Sequence, residues 1–264
     1  MNTAIQRITL FTFLVLLLLN ATPGFSVSVD ELVATGDKYH ENFDNIDAAK
    51  EYQDAYQLDK ESFPILKKLV LSYNDAGEDY REKSRKKAEK YFRNAIKYAE
   101  IAKKEFPDKD DNYFLLALAY GNLARYSSGR EKVELARDVE KNIKKMIHLQ
   151  PDFAPAYVVL GVYYREVARL NWFLKQFAKT LLGGLPDGSL EDSKSMLQKA
   201  ISLNPEVIYS HYELARTYES MKNYSKAIDE YNKVIELPVK DHLDPQKKKD
   251  ARNEIEDLTD KVNN

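Results

Sequence analysis

Residues 94–107 read NAIKYAEIAKKEFP, and the placing of Ala95, Ala99 and Ala102 ahead of Pro107 decides the fold. Small residues four and three apart share one face of a helix, and a proline past the end cannot continue it. Such a face lies close against a neighbouring helix. The same stripe recurs as Ala48, Tyr52 and Ala55, as Val139, Ile143 and Met146 before Pro151, and as Ser193, Met196 and Ala200 before Pro205. A fifth copy is Ala227, Tyr231 and Val234, with Pro238 just beyond.

Ahead of each stripe stands a second signature. Tyr39, Tyr73, Tyr120, Tyr164 and Tyr218 are separated by 34, 47, 44 and 54 residues, a 34-residue unit with three insertions. Three residues before each tyrosine is Gly36, Val70, Ala117, Gly161 or Ala215, preceded by Thr35 or by Leu69, Leu116, Leu160 or Leu214. This is the two-helix pattern of a tetratricopeptide repeat. It predicts an all-α superhelical solenoid with helical insertions, occupying residues 29–264 as one domain. Its five repeats fall at about 29–62, 63–109, 110–153, 154–207 and 208–241. The polar stretch 245–262, with Ala251, Ile255 and Leu258 on one stripe, reads as the capping helix.

Composition agrees and excludes other classes. The 44% hydrophobic content suffices for a core, so disorder along the whole length is excluded. With 40 Lys+Arg against 42 Asp+Glu, the net charge of −2 offers no basic excess for nucleic acid. No cysteine is present, which removes disulfides, thiol catalysis and thiolate metal sites.

Residues 1–28 read as a signal peptide: Arg7 precedes the apolar run Ile8 to Leu19, and Gly24, Ser26 and Ser28 supply small residues for cleavage after Ser26 or Ser28. The alternative is an uncleaved anchor beginning at Ile8. Cleavage would leave a net charge of about −3. The expected location is exported: periplasmic in a Gram-negative bacterium, otherwise secreted or envelope-associated.

Two insertions, roughly 76–87 and 126–137, are charged and predict solvated helical extensions. The third, roughly 165–192, carries Val167, Leu170, Leu174, Phe177 and Leu181 at helical spacing, flanked by Trp172 and Phe173, with a stop at Gly183-Gly184. Arg165, Arg169, Lys175 and Lys179 against Glu166 give it a basic face, suited either to peripheral membrane contact or to packing on its own solenoid.

The run Leu170-Asn171-Trp172-Phe173, then Ala178 to Leu182, Leu185-Pro186, Ser189 to Asp192, and Lys199-Ala200 through Asn204-Pro205 resembles the regulator of microtubule dynamics family. Leu214, Ala215, Tyr218 and Glu236-Leu237-Pro238 extend the likeness over about 161–258. The resemblance implies an all-helical scaffold without catalysis, whose animal members associate with microtubules or organelle membranes. The signal segment points away from the cytosol instead. The chain is also similar, more weakly, to exported helical-repeat components of substrate-binding-protein-dependent transporters.

In the repeat register, the concave groove is lined by Lys67, Leu71, Asn74, Phe114, Leu118, Asn122, Val158, Val162, Arg165, Tyr212 and Arg216. Its middle is apolar, and no repeat carries the Lys and Asn pair that clamps acidic tails. Such a groove suits a protein or peptide segment; the alternative occupant is a lipid or other apolar small molecule, with the insertion helix (Leu170, Trp172, Phe173, Lys175, Phe177, Lys179) as lid or membrane contact. The groove is either open or filled by the chain itself. His40, His148, His211 and His242 are scattered, and no metal motif, phosphate loop or nucleophile elbow occurs. The expected function is binding, with no catalytic residue, cofactor or metal.

Overall fold

The computed structural model describes residues 27–182 and 188–263. Residues 1–26, which hold most of the expected signal segment, and 183–187, with the Gly183-Gly184 stop, lie outside the described residues. The described chain is an all-α tetratricopeptide-type solenoid.

Five helix pairs follow one another. They are α1 (Val29–Glu41) with α2 (Asn45–Leu58), α3 (Phe63–Asp79) with α4 (Arg85–Glu105), and α5 (Asp111–Ala124) with α6 (Gly129–Leu149). Then come α7 (Ala154–Arg169) with α9 (Leu190–Leu203), and α10 (Ile208–Ser220) with α11 (Tyr224–Glu236). The insertion forms α8 (Trp172–Leu182), and α12 (Asp244–Asn263) ends the chain.

Helix starts are chemically marked. Ser28, Ser62, Ser84 and Ser189 each accept a hydrogen bond from a first-turn amide, and Ser28 with Glu31 and Ser189 with Asp192 form reciprocal capping boxes. The stripes do what their spacing predicts. Ala48, Ala55, Ala95, Ala99, Ala102, Ile143, Met146, Ser193, Ala200, Ala227, Tyr231 and Val234 are all buried. At Gly161 a Cβ would lie 2.6 Å from Leu197 Cγ and 3.2 Å from the Ser193 carbonyl oxygen, so only glycine lets α7 and α9 approach this closely.

Two expectations need correction. The first two insertions are not merely solvated, because Ala76 and Gly77 in the first and Val133 and Leu135 in the second are buried. Both partners of a pair lengthen together, so the extra turns bury a layer between themselves. The third insertion is not one helix: α7 runs on through buried Val167 to Arg169, and Leu170 leaves the helix at φ −59°, ψ 137° before α8 begins. The capping helix packs through the stripe its sequence predicts. Ala251 and Leu258 close the core, yet Lys247 on its first turns is also buried, because this end of α12 faces the concave side.

Gly161→Val is expected to lower unfolding free energy by about 1–3 kcal/mol through overpacking. At Gly121 a Cβ finds only Val139 Cγ2 at 3.7 Å. Gly121→Ala is therefore expected to be neutral or stabilising by up to about 1 kcal/mol. Urea titrations of both variants check the contrast.

Candidate binding site

The concave side divides into an apolar pocket and a charged interior. Successive repeats present their first helices, α3, α5, α7 and α10, to this side. The pocket, about 270 Å³, lies where α5, α6 and α7 meet. Ala117, Leu118, Gly121, Val139, Val158 and Val162 line its wall, and Asn122, Arg125, Lys132, Glu166 and Tyr209 bring polar groups to it. Tyr163 also lines it; its hydroxyl is buried without a hydrogen-bond partner, and burial beside Glu140 raises its pKa above the ordinary value.

The expected groove residues therefore separate. Leu118, Asn122, Val158 and Val162 come together at the pocket. Asn122 is also tied down, since its amide donates to the Asn74 side-chain oxygen at 3.0 Å while the Asn74 amide donates to the Val70 carbonyl at 2.9 Å. Lys67 is ion-paired with Asp111 at 2.8 Å, Leu71 packs on Val70 and Leu115, and Phe114 meets the Phe153 ring edge-on at 5.0 Å. These three join neighbouring helices and do not line the pocket.

Arg165 is the clearest departure from the expected lining. It is 1% exposed and pairs with Glu213 at 2.5 Å, and its guanidinium also donates to the Glu213 backbone carbonyl at 3.0 Å. Arg216 reaches the same carboxylate at 3.5 Å. Burial opposes the charge on Glu213, but the attraction of Arg165, Arg216 and Arg125 outweighs it and holds the carboxyl far below the usual range. Arg125 in turn pairs with Glu78 at 2.9 Å and donates to the Tyr209 hydroxyl at 3.3 Å.

One of these contacts, Arg125 to Tyr209, joins repeats three and five, which are not neighbours in the chain. Leu243, Gln246, Lys247 and Asp250 face Glu78, Arg81 and Arg216 across a polar cleft that also includes Tyr212. The Lys247 ammonium lies 4.8 Å from the Tyr212 ring centre, and burial together with Arg81 and Arg125 lowers its pKa despite the nearby carboxylates. The C-terminal arm thus faces and narrows the lower groove, and the register alone could not reveal this. The dense charge on 240–250 was the available signal.

From the insertion, Leu170 reaches the pocket wall, Trp172 is 73% exposed, Lys175 donates to the Ala168 carbonyl at 3.2 Å, and Lys179 is exposed. The side chains of Phe173 and Phe177 lie outside the described residues. Of the histidines, His211 is held between Glu230 at 2.6 Å and the Pro205 carbonyl at 2.9 Å. Among the described residues no cluster of three or more His, Asp or Glu could hold a metal ion, and no helix is long and apolar enough to cross a membrane.

The profile of the family described as regulator of microtubule dynamics protein 1-3 matches residues 28–261. The chain belongs to this family. The match takes in the first two repeats, where the residues alone gave only the general repeat pattern. Regulator of microtubule dynamics protein 3 of Rattus norvegicus is 25% identical over 175 residues, covering 66% of this chain and 37% of that protein. Protein 1 of Bos taurus is 22% identical over 168 residues, covering 63% and 53%. The chain thus spans less than two thirds of the length of either relative. A thermophilic tetratricopeptide protein of Thermus thermophilus matches the fold with a TM-score of 0.64 at 18% identity, covering 88% of this chain and 99% of that one.

Removing one partner of a buried ion pair strands the other, a loss of about 3–5 kcal/mol. Glu213→Gln is expected to cost that much at neutral pH. Because the folded-state pKa of Glu213 is depressed, its contribution is present above the ordinary value of 4.5 and lost as pH falls through the folded value. The variant should therefore lose less further stability on acidification than the parent chain, as measured by denaturant titration at several pH values.

Proposed function

We propose that this chain is a non-enzymatic binding scaffold that receives a protein segment on its concave side. The observation that carries the reading is the pocket of about 270 Å³ between α5, α6 and α7, whose wall is apolar while its surroundings are ionic. An amphipathic helix or extended segment would place one or two apolar side chains against Leu118, Val158 and Val162, with its polar flank near Arg125, Lys132 and Glu166. Half-buried Glu78 and buried Glu213 already occupy Arg125, Arg165 and Arg216, which argues against an acidic tail as the main determinant.

A second reading has its own support. The apolar lining of Ala117, Leu118, Val139, Val158 and Val162 would also suit an apolar small molecule or lipid. In that case exposed Trp172 and Lys179 on α8 would make peripheral membrane contact.

Native mass spectrometry of the detergent-free protein purified from its own host tests both. A stoichiometric polypeptide lost in Leu118→Glu and Val162→Glu supports the scaffold; an extractable apolar compound lost in the same variants supports the carrier. A companion retained by both variants overturns the pocket as its site. Liposome association unaffected by Lys175→Glu with Lys179→Glu counts against membrane contact.

Export is part of the proposal. Cleavage after Ser26 would keep the capping box of Ser28 and Glu31 at the start of α1, whereas cleavage after Ser28 would remove it. A mature N-terminus at Val27 is the expected result, and an intact Met1 in the host would contradict export by cleavage.

A further inference from the structure

The turn at 237–244 carries the chain from α11 back to the first two repeats, and His242 is where it touches them. The His242 side chain is 5% exposed; its Nδ1 lies 3.1 Å from Asp241 Oδ1 and its Nε2 3.8 Å from Asp79 Oδ1. Nε2 is buried with no hydrogen-bond partner. The imidazole faces the Phe43 ring at 6.4 Å between centres, and Phe43 itself sits in the left-handed region at φ 64°. Asn45 at the start of α2 donates to the other oxygen of Asp79 at 3.1 Å, and Asp244 accepts the amides of Lys240 and Asp241 at 2.8 Å, which fixes the turn.

The contact closes the fold on itself. In a simple solenoid each repeat touches only its neighbours. Here the end of repeat five meets α3 and the α1–α2 turn, and repeat five also reaches repeat three, where Arg125 donates to Tyr209 at the pocket. The charged groups acting on His242 are acidic, Asp75 and Asp79 from α3 and Asp241 from its own turn; Glu78, which acts on Asp75, is paired with Arg81 and Arg125, and His40 of α1 near Asp241 is the other titratable base.

We propose that this cluster is a proton-operated latch, which holds the C-terminal arm against the first two repeats while protonated and releases it on losing its protons.

The electrostatics agree in sign. Burial works against the charged imidazole, but Asp241, Asp75 and Asp79 outweigh it and raise the pKa of His242. Burial, reinforced by Asp241, Asp79 and Glu78 and opposed by His242, pushes the Asp75 carboxyl up to about 7. Both groups have folded values above their ordinary ones. Their stabilisation is therefore complete at acid pH and lost as pH rises through the folded values, near neutrality for Asp75. Above that, a neutral imidazole faces a set of mutually repelling carboxylates. The latch itself does not rest on the pocket reading; only its consequence, wider access to the concave side at higher pH, does.

The full chain has no cysteine, so spin labels can be placed through Glu41→Cys and Lys249→Cys, both exposed, and their separation measured by dipolar spectroscopy. One narrow distance is expected at about pH 5.5 and a longer, broader distribution at about pH 8.5. In Asp75→Asn, which removes both a titrating carboxyl and one of the charges that hold the proton on His242, the transition should move away from the parent's pH, and in His242→Gln the broad distribution should appear at both. A parent chain with the same distance at both pH values overturns the latch, as does a folded His242→Gln that keeps the parent's response. If His242→Gln does not fold, Asp75→Asn decides alone: an unshifted transition overturns the proposal. The measurement needs no ligand, so failure of the pocket reading leaves its result unaffected.

Discussion

A guanidinium and a carboxylate shut away from water, Arg165 and Glu213, fix how α7 and α10 face each other, and the shape of the concave side depends on it. Two charges are buried at a desolvation cost that their mutual attraction must offset, and additional hydrogen bonds make this possible. Arg165 supplies one to the Glu213 backbone, and Arg216 brings further positive charge. Two repeats earlier, the Asn122 amide donates to the Asn74 side-chain oxygen and joins α3 to α5 in the same interior. Unlike apolar packing, these contacts are directional. They set angle and register between repeats, while the alanine stripes only demand closeness.

That division of labour explains why the concave side is two surfaces. Where α5, α6 and α7 meet, Leu118, Val158 and Val162 leave an apolar pocket. Where α3, α10 and α12 meet, Glu78, Arg81, Arg216 and Lys247 crowd a polar cleft. A ligand for the first surface gains from apolar contact, whereas the second is largely satisfied by the chain's own ions. The C-terminal arm serves the fold by covering the last repeat and serves the site by narrowing the groove.

The repeat architecture was legible because one local pattern, a tyrosine on the first helix of a pair followed by a buried stripe on the second, is written five times. Ala95, Ala99 and Ala102 sit where their spacing puts them, as do Tyr231 and Val234. Half of the pocket was legible for the same reason, since register fixes which residues of α5 and α7 face inward. What failed was the assumption that inward means available. Arg165 and Asn74 face inward and are consumed by Glu213 and Asn122, and nothing local in the chain announces partners 48 residues away. The break at Leu170 was hidden too. An apolar residue at helical spacing looks the same whether it continues a helix or turns to line a pocket.

The central claim is that the apolar pocket, and not the convex surface, receives a protein segment. A photoreactive amino acid installed at Val162, with a control at exposed Lys145 on α6, tests it inside the host. The account predicts a polypeptide adduct from position 162 and none of the same mass from position 145. The same adduct from both positions, or from 145 alone, would contradict it.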